Sequence, residues 1–204
     1  MIARLLKLNV GLVLFGVGLW LGLVAELGVG PWDVLTGGLS QQTGVRFGLM
    51  AIVVSVVVLL VGIAARVRPG IGTLLNVFVI GAVLDLLLTS PLLADLGDRP
   101  LPLRLSATLL GIATVAAGSA LYLGAHLGPG PRDGLMVAIH QRTGWRVGTA
   151  RAVLECVVLV LGVLLGGPVG IGTVLFALGI GPAVQVAFRV LRQTPVRRPV
   201  EVPA

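Results

Sequence analysis

Charge is scarce in this chain. Only 11% of its 204 residues are Asp, Glu, Lys or Arg, against about 25% in an ordinary soluble domain, so a water-facing surface over most of the molecule is excluded. Cys156 is the one cysteine; it leaves no intrachain disulfide and no cysteine pair for a metal, and its place in an apolar run reads as an inert core thiol. His126 and His140 belong to no His-Glu-x-x-His motif and read as loop or interface residues. Aromatic residues make up 4%, so the formal net charge of +7 has no aromatic-basic surface with which to bind nucleic acid. Asp133-Gly134 with Ala138 and Arg142 faintly resembles lipid head-group transferases, but a lone Asp cannot hold the divalent metal that such chemistry needs. No enzymatic activity, metal or cofactor is expected.

What the chain has is apolar sequence in long runs, with 56% hydrophobic residues and a mean hydropathy of +1.07. Runs of about 18 or more apolar residues read as membrane-spanning helices. The first run, 8–24, follows Arg4 and Lys7 as a signal peptide would. It exceeds the about 7–15 residues of an h-region, no convincing cleavage site follows, and it has a counterpart later in the chain.

The chain repeats itself. Gly28-Val29-Gly30-Pro31-Trp32-Asp33 returns as Gly128-Pro129-Gly130-Pro131-Arg132-Asp133. Gln41, Thr43, Gly44, Arg46 and Gly48 return as Gln141, Thr143, Gly144, Arg146 and Gly148, and Gly70-Ile71-Gly72-Thr73 as Gly170-Ile171-Gly172-Thr173. Each pair is 100 residues apart. Each copy has one plan: an apolar helix (8–24, then 103–123), a Gly/Pro-rich connection with a short segment (31–43, then 131–143), and two apolar helices (47–65 and 70–88, then 148–165 and 170–190).

Three crossings per copy is an odd number, so the second copy enters from the other side. With the N-terminus inside, the cytoplasmic segments hold twelve basic residues: Arg4, Lys7, Arg66, Arg68, Arg132, Arg142, Arg146, Arg151, Arg189, Arg192, Arg197 and Arg198. The external segments hold three, Arg46, Arg99 and Arg104. Positive charge stays inside, so both ends are expected to be cytoplasmic.

Gly-x-Gly-Pro-Trp-Asp after a first membrane helix, Thr-Gly about ten residues on, and Gly-Ile-Gly-Thr opening a later helix together resemble the YczE/YitT family of bacterial integral membrane proteins. The resemblance runs from the first helix to about residue 190. Arg132 departs from the pattern where the first copy has Trp32. The short Pro/Arg tail, in place of a soluble C-terminal domain, is closer to the YczE branch. The resemblance implies a membrane architecture and no particular chemistry.

Several residues can carry function. Asp33 and Asp133 follow Pro31 and Pro131, which suit the first turn of a helix, where a carboxylate favours the dipole by about 0.3–1 kcal/mol. Either that is their role, or the short helices dip into the membrane and aim their starts at a central cavity, as in transporters built from inverted halves. Arg46 and Arg146 close the same segments and can pair with those Asp residues, gate the site or contact an anion. Trp32 reads as an interfacial anchor or a site residue. Thr73 and Thr173 open later helices as N-caps or lend hydroxyls to the site, while the surrounding glycines, like Gly18/Gly22 and Gly162/Gly166, suit close helix packing. Asp85, Arg151 and Glu155 lie within apolar runs, where charge is costly. Arg151 and Glu155 share a helix face at i, i+4 and can neutralise each other; Asp85 falls near the outer interface.

The expected fold is an all-α polytopic membrane protein of six transmembrane helices, a 3+3 inverted-topology repeat with short interrupted helices after the first helix of each copy. The copies are 1–100 and 101–190, and 191–204 is a disordered basic cytoplasmic tail. The expected function is a small-solute transporter or permease of the inner membrane; the alternative is a non-transporting scaffold or accessory protein for another membrane or cytoplasmic partner. The lipid bilayer is the expected partner, with a small solute, a homodimer or another membrane protein left open.

The topology is tested by labelling single engineered cysteines in a Cys156→Ala background with an impermeant thiol reagent. In intact cells, a cysteine near Asp95 is labelled and one near Arg142 is protected; the reverse pattern contradicts the orientation.

Overall fold

The computed structural model describes residues 1–193. Of the expected tail, 194–204, with Arg197 and Arg198, lies outside the described residues, and 191–193 close the last helix. The described chain is all helical: α1 Ile2–Val24, α2 Pro31–Thr43, α3 Phe47–Ala64, α4 Ile71–Leu88, α5 Leu101–Gly124, α6 Pro131–Thr143, α7 Val147–Leu164 and α8 Ile171–Val190, with a 3-10 turn at Leu96–Asp98 before α5. Among the described residues, five helices are long and apolar enough to cross a membrane; α6 and α7, bent by 120° at their junction, make a sixth span only if taken together. α7 was expected to cross alone. The apolar surface of these helices faces outward, as lipid requires. Cys156 is among the exposed residues and not in a core.

The short helices have defined ends. Pro31 and Pro131 occupy the first turn, where a missing N–H costs nothing. Gly44 and Gly144 stop them in the left-handed region at φ 71°, a conformation that glycine adopts freely.

α1 starts at Ile2, six residues before the apolar run, because Arg4 and Lys7 have work inside the fold. Arg4 donates to the carbonyls of Ala125 (2.8 Å) and His126 (2.7 Å) at the end of α5. Lys7 donates to Gly124 O at 2.8 Å and also meets Gln193. Arg104 does the same for α1, donating to Ala25 O and Glu26 O at 2.8 Å each. Cations here satisfy the orphan carbonyls at each helix C-terminus.

α1 and α5 cross antiparallel through four glycines. A Cβ on Gly11 would meet Tyr122 N at 2.6 Å and Gly118 O at 2.8 Å; one on Gly18 would meet Gly111 O and Val115 N at 2.6 Å. A Cβ on Gly118 would meet Gly11 O and Phe15 N at 2.6 Å, and one on Gly111 would meet Gly18 O at 2.7 Å. Gly22, expected to pack with Gly18, has nothing within 4 Å. In the other expected pair, a Cβ on Gly162 would meet Leu35 N at 2.5 Å, but Gly166 lies beyond α7 at φ +82°. α4 flanks the seam on the α1 side and α8 on the α5 side.

Loops tie the first half to the second. Gly72 N donates to Leu127 O at 2.7 Å and Gly172 N to Leu27 O at 2.6 Å. Thr73 and Thr173 are third helical residues and not N-caps; Gly70 and Gly170 hold that place. Thr73 Oγ1 accepts from Gly70 N at 3.0 Å and donates to Pro129 O at 2.7 Å, and Thr173 Oγ1 accepts from Gly170 N at 3.3 Å.

The seam predicts a contrast between two glycines one turn apart. Gly18→Val drives atoms into the α5 backbone and loses about 1–3 kcal/mol, whereas Gly22→Ala leaves thermal stability in detergent unchanged or raised. Equal losses contradict backbone contact at Gly18.

Candidate functional site

The starts of α2 and α6 meet at one cavity of about 150 Å³. Gly30, Pro31, Trp32 and Asp33 line it from one side, and Gly130, Pro131, Arg132 and Asp133 from the other. The volume is about that of a cavity that takes one benzene molecule.

Five charged residues reach the lining: Asp33, Asp133 and Glu155, with Arg132 and Arg151. Arg151 Nε donates to Glu155 Oε1 at 2.8 Å, the expected i, i+4 pair. Arg132 projects across to the first half. Its guanidinium carbon stands 4.8 Å from the centroid of the Trp32 ring, and Nη2 is 4.0 Å from Asp33 Oδ1. This distance attracts charge but is too long for a direct hydrogen bond. Asp33 is only 3% exposed. Asp133 is held differently, by the Tyr122 hydroxyl donating to its Oδ2 at 2.7 Å.

Other expected site residues lie elsewhere. Asp33 does not pair with Arg46, because they stand at opposite ends of α2, about 20 Å apart at 1.5 Å per residue. Arg46 instead reaches α4, with Nη1 3.1 Å from Asp85 Oδ2. Arg146, Thr73 and Thr173 do not line the cavity, nor do His126 and His140. The lining gains Tyr122, Asn76, Ser119 and Ser55. Asn76 was a readable signal, as the one amide within the apolar run of α4. Tyr122 was not, because the equivalent position in the first half is Gly22.

Equivalent junctions differ around the cavity. α3 packs along α4: a Cβ on Gly48 would meet Asp85 N at 2.4 Å and Gly81 O at 2.5 Å, and one on Gly81 would meet Gly48 O at 2.8 Å. The counterparts Gly148 and Gly181 have nothing within 4 Å. No packed seam joins α7 to α8 among the described residues. Gly62, the counterpart of the tightly packed Gly162, likewise has nothing within 4 Å.

Comparison with known proteins places the chain among membrane proteins. The family model DUF6198, a family of unknown function, matches residues 2–189. An "Uncharacterized protein" of Haemophilus influenzae (strain Rd) is 42% identical over 184 residues, 90% of this chain and 83% of the relative. The "Uncharacterized membrane protein YczE" of Bacillus subtilis is 33% identical over 171 residues, 82% of this chain and 77% of the relative. The "Uncharacterized protein YyaS" of the same organism is 28% identical over 168 residues, 82% of this chain and 83% of the relative. The expected YczE resemblance therefore holds over most of the chain. No solved structure matches it.

The Arg151–Glu155 pair predicts non-additive mutants. Arg151→Ala or Glu155→Ala alone strands a charge beside the cavity, and each destabilises more than the double mutant, with a coupling of about 1 kcal/mol. Melting in detergent measures it; additive losses contradict the pairing.

Proposed function

The chain belongs to the DUF6198 family, which supplies no activity to inherit, and we propose from its geometry that it is a small-solute transporter of the bacterial inner membrane, working by alternating access. On this reading the two halves form a 3+3 inverted-topology repeat about an axis in the membrane plane. Such repeats place the site at their interface and rock around it. The reading draws support from helices that recur 100 residues apart, from the antiparallel α1–α5 seam, and from the reciprocal caps by Arg4 and Arg104.

One observation carries the proposal: two equivalent junctions on either side of one cavity are in different states. The α3–α4 junction is shut, glycine on backbone, and bridged by Arg46–Asp85. The α7–α8 junction is parted, and Gln185 stands where an acid would be needed to pair with Arg146. With both ends cytoplasmic, the shut junction faces outward and the parted one inward. Exchanging the states of the two copies turns an inward-facing cavity into an outward-facing one. The orientation rests on the sequence alone: with Arg132 and Arg151 set aside as cavity-lining residues, ten basic residues on the side taken as cytoplasmic still face three. A scaffold held together by a dry glycine core has no use for five charged groups around a cavity. No chemical step is part of the reading.

Locking either junction tests it. In a Cys156→Ala background, Arg46→Cys with Asp85→Cys spans the shut junction, and Arg146→Cys with Gln185→Cys spans the parted one. Bifunctional thiol reagents of graded length stop solute flux in proteoliposomes at either site, and a cleavable reagent restores flux on reduction. Flux indifferent to both locks, or no flux of any solute through the unlocked protein, contradicts transport.

A further inference from the structure

We infer that the solute is a small monovalent organic cation, of the guanidinium or alkylammonium class, recognised by the face of Trp32 and the carboxylate of Asp33. The inference rests on the transport reading and names its cargo. Helix starts carry about half a positive charge each and would by themselves favour an anion. Here each start bears a carboxylate in its first turn, Asp33 on α2 and Asp133 on α6, so an entering anion meets those first. Of the two cations in the lining, Arg151 pairs with Glu155 and Arg132 stands 4.0 Å from Asp33. The lining has no positive surplus.

The two carboxylates are not equivalent. Tyr122 donates its hydroxyl to Asp133. The corresponding position in the first half is Gly22, where a Cβ would touch nothing within 4 Å, so no tyrosine hydroxyl reaches Asp33 from there. Asp33 is a buried carboxylate with the Arg132 guanidinium 4.0 Å away, and a buried carboxylate favours a cation beside it. Beside it, the Trp32 indole N–H is buried without an acceptor, as is that of Trp20, and it is the face of the Trp32 ring that a guanidinium covers. An indole face and a carboxylate together draw a cation strongly once water is excluded.

A cation of this class already stands there. The Arg132 guanidinium lies over Trp32 at 4.8 Å, and in sequence Arg132 holds the place in the second copy that Trp32 holds in the first. Arg132 acts as a tethered occupant that a solute cation displaces, and it fills the site when cargo is absent. The cavity of about 150 Å³ admits guanidinium or methylammonium and excludes a nucleotide or a peptide.

The probes are guanidinium, its neutral isostere urea, and acetate, each at millimolar concentration. Binding is measured by calorimetry on the full chain in nanodiscs, and uptake in proteoliposomes. Guanidinium is expected to bind and enter saturably, while urea and acetate do neither. Asp33→Asn weakens guanidinium binding about 10- to 100-fold and Trp32→Leu about 3- to 30-fold, whereas Asp33→Glu retains binding and controls for folding. Arg132→Ala tightens binding, a gain that a merely structural residue would not give. Saturable flux of urea or acetate without guanidinium overturns the cation assignment and leaves transport standing. Absence of flux for every probe, across a wider solute panel as well, overturns both. Weaker guanidinium binding in Arg132→Ala overturns the displacement of a tethered cation.

Discussion

Backbone contact between α1 and α5 is the constraint on which the rest of this molecule depends. In lipid there is little hydrophobic gain from bringing two apolar helices together, so association rests on close packing and on satisfied polar groups. Gly11, Gly18, Gly111 and Gly118 remove the side chains that would hold the helices apart. Arg4 and Arg104 then tie each helix to the end of the other. With the two helices fixed antiparallel, α4 and α8 take places on opposite flanks. The loops at Leu27 and Leu127 come within hydrogen-bonding reach of the starts of α8 and α4.

The same arrangement leads to the cavity. The loops pinned by Gly172 and Gly72 run directly into α2 and α6, so anchoring them delivers both short-helix starts to the same interior space. The remaining contacts are unequal. The α3–α4 face is closed on glycine, while the α7–α8 face has glycines at the same places with nothing against them. Glycines kept at an open junction make sense if that junction closes in another state, because a Cβ there would keep the helices apart. The charges are just as uneven. Arg151 and Glu155 stand where the first half has Ala51 and Ser55, and Arg132 stands where it has Trp32.

The helix plan was legible because its punctuation is chemical. Pro at the first turn, Gly after the last, and apolar runs between them bound most helices to within two residues. The start of α1 was not legible, since Arg4 and Lys7 look like flanking charges until their acceptors at the end of α5 are seen. Gly11/Gly111, Gly18/Gly118 and Arg4/Arg104 are also 100 residues apart. In an apolar glycine-rich run such matches carry little weight until the helices are seen touching. The pairing of Asp33 with Arg46 failed because a 13-residue helix separates its ends, and the partner of Arg46 comes from α4. At the site, the short-helix starts could be read from the sequence. The Tyr122 hydroxyl could not, because its role depends on a fold that brings α5 alongside α6.

The claim that the two halves exchange states around one cavity is tested most directly by distances. Spin labels at positions 46 and 89 report the α3–α4 junction, and labels at 146 and 189 the α7–α8 junction, in a Cys156→Ala protein in lipid nanodiscs. The account predicts two populations at each pair, the α3–α4 distance short when the α7–α8 distance is long, with added solute shifting the two in opposite senses. A single fixed distance at both pairs under every condition, or both distances lengthening together, would contradict it.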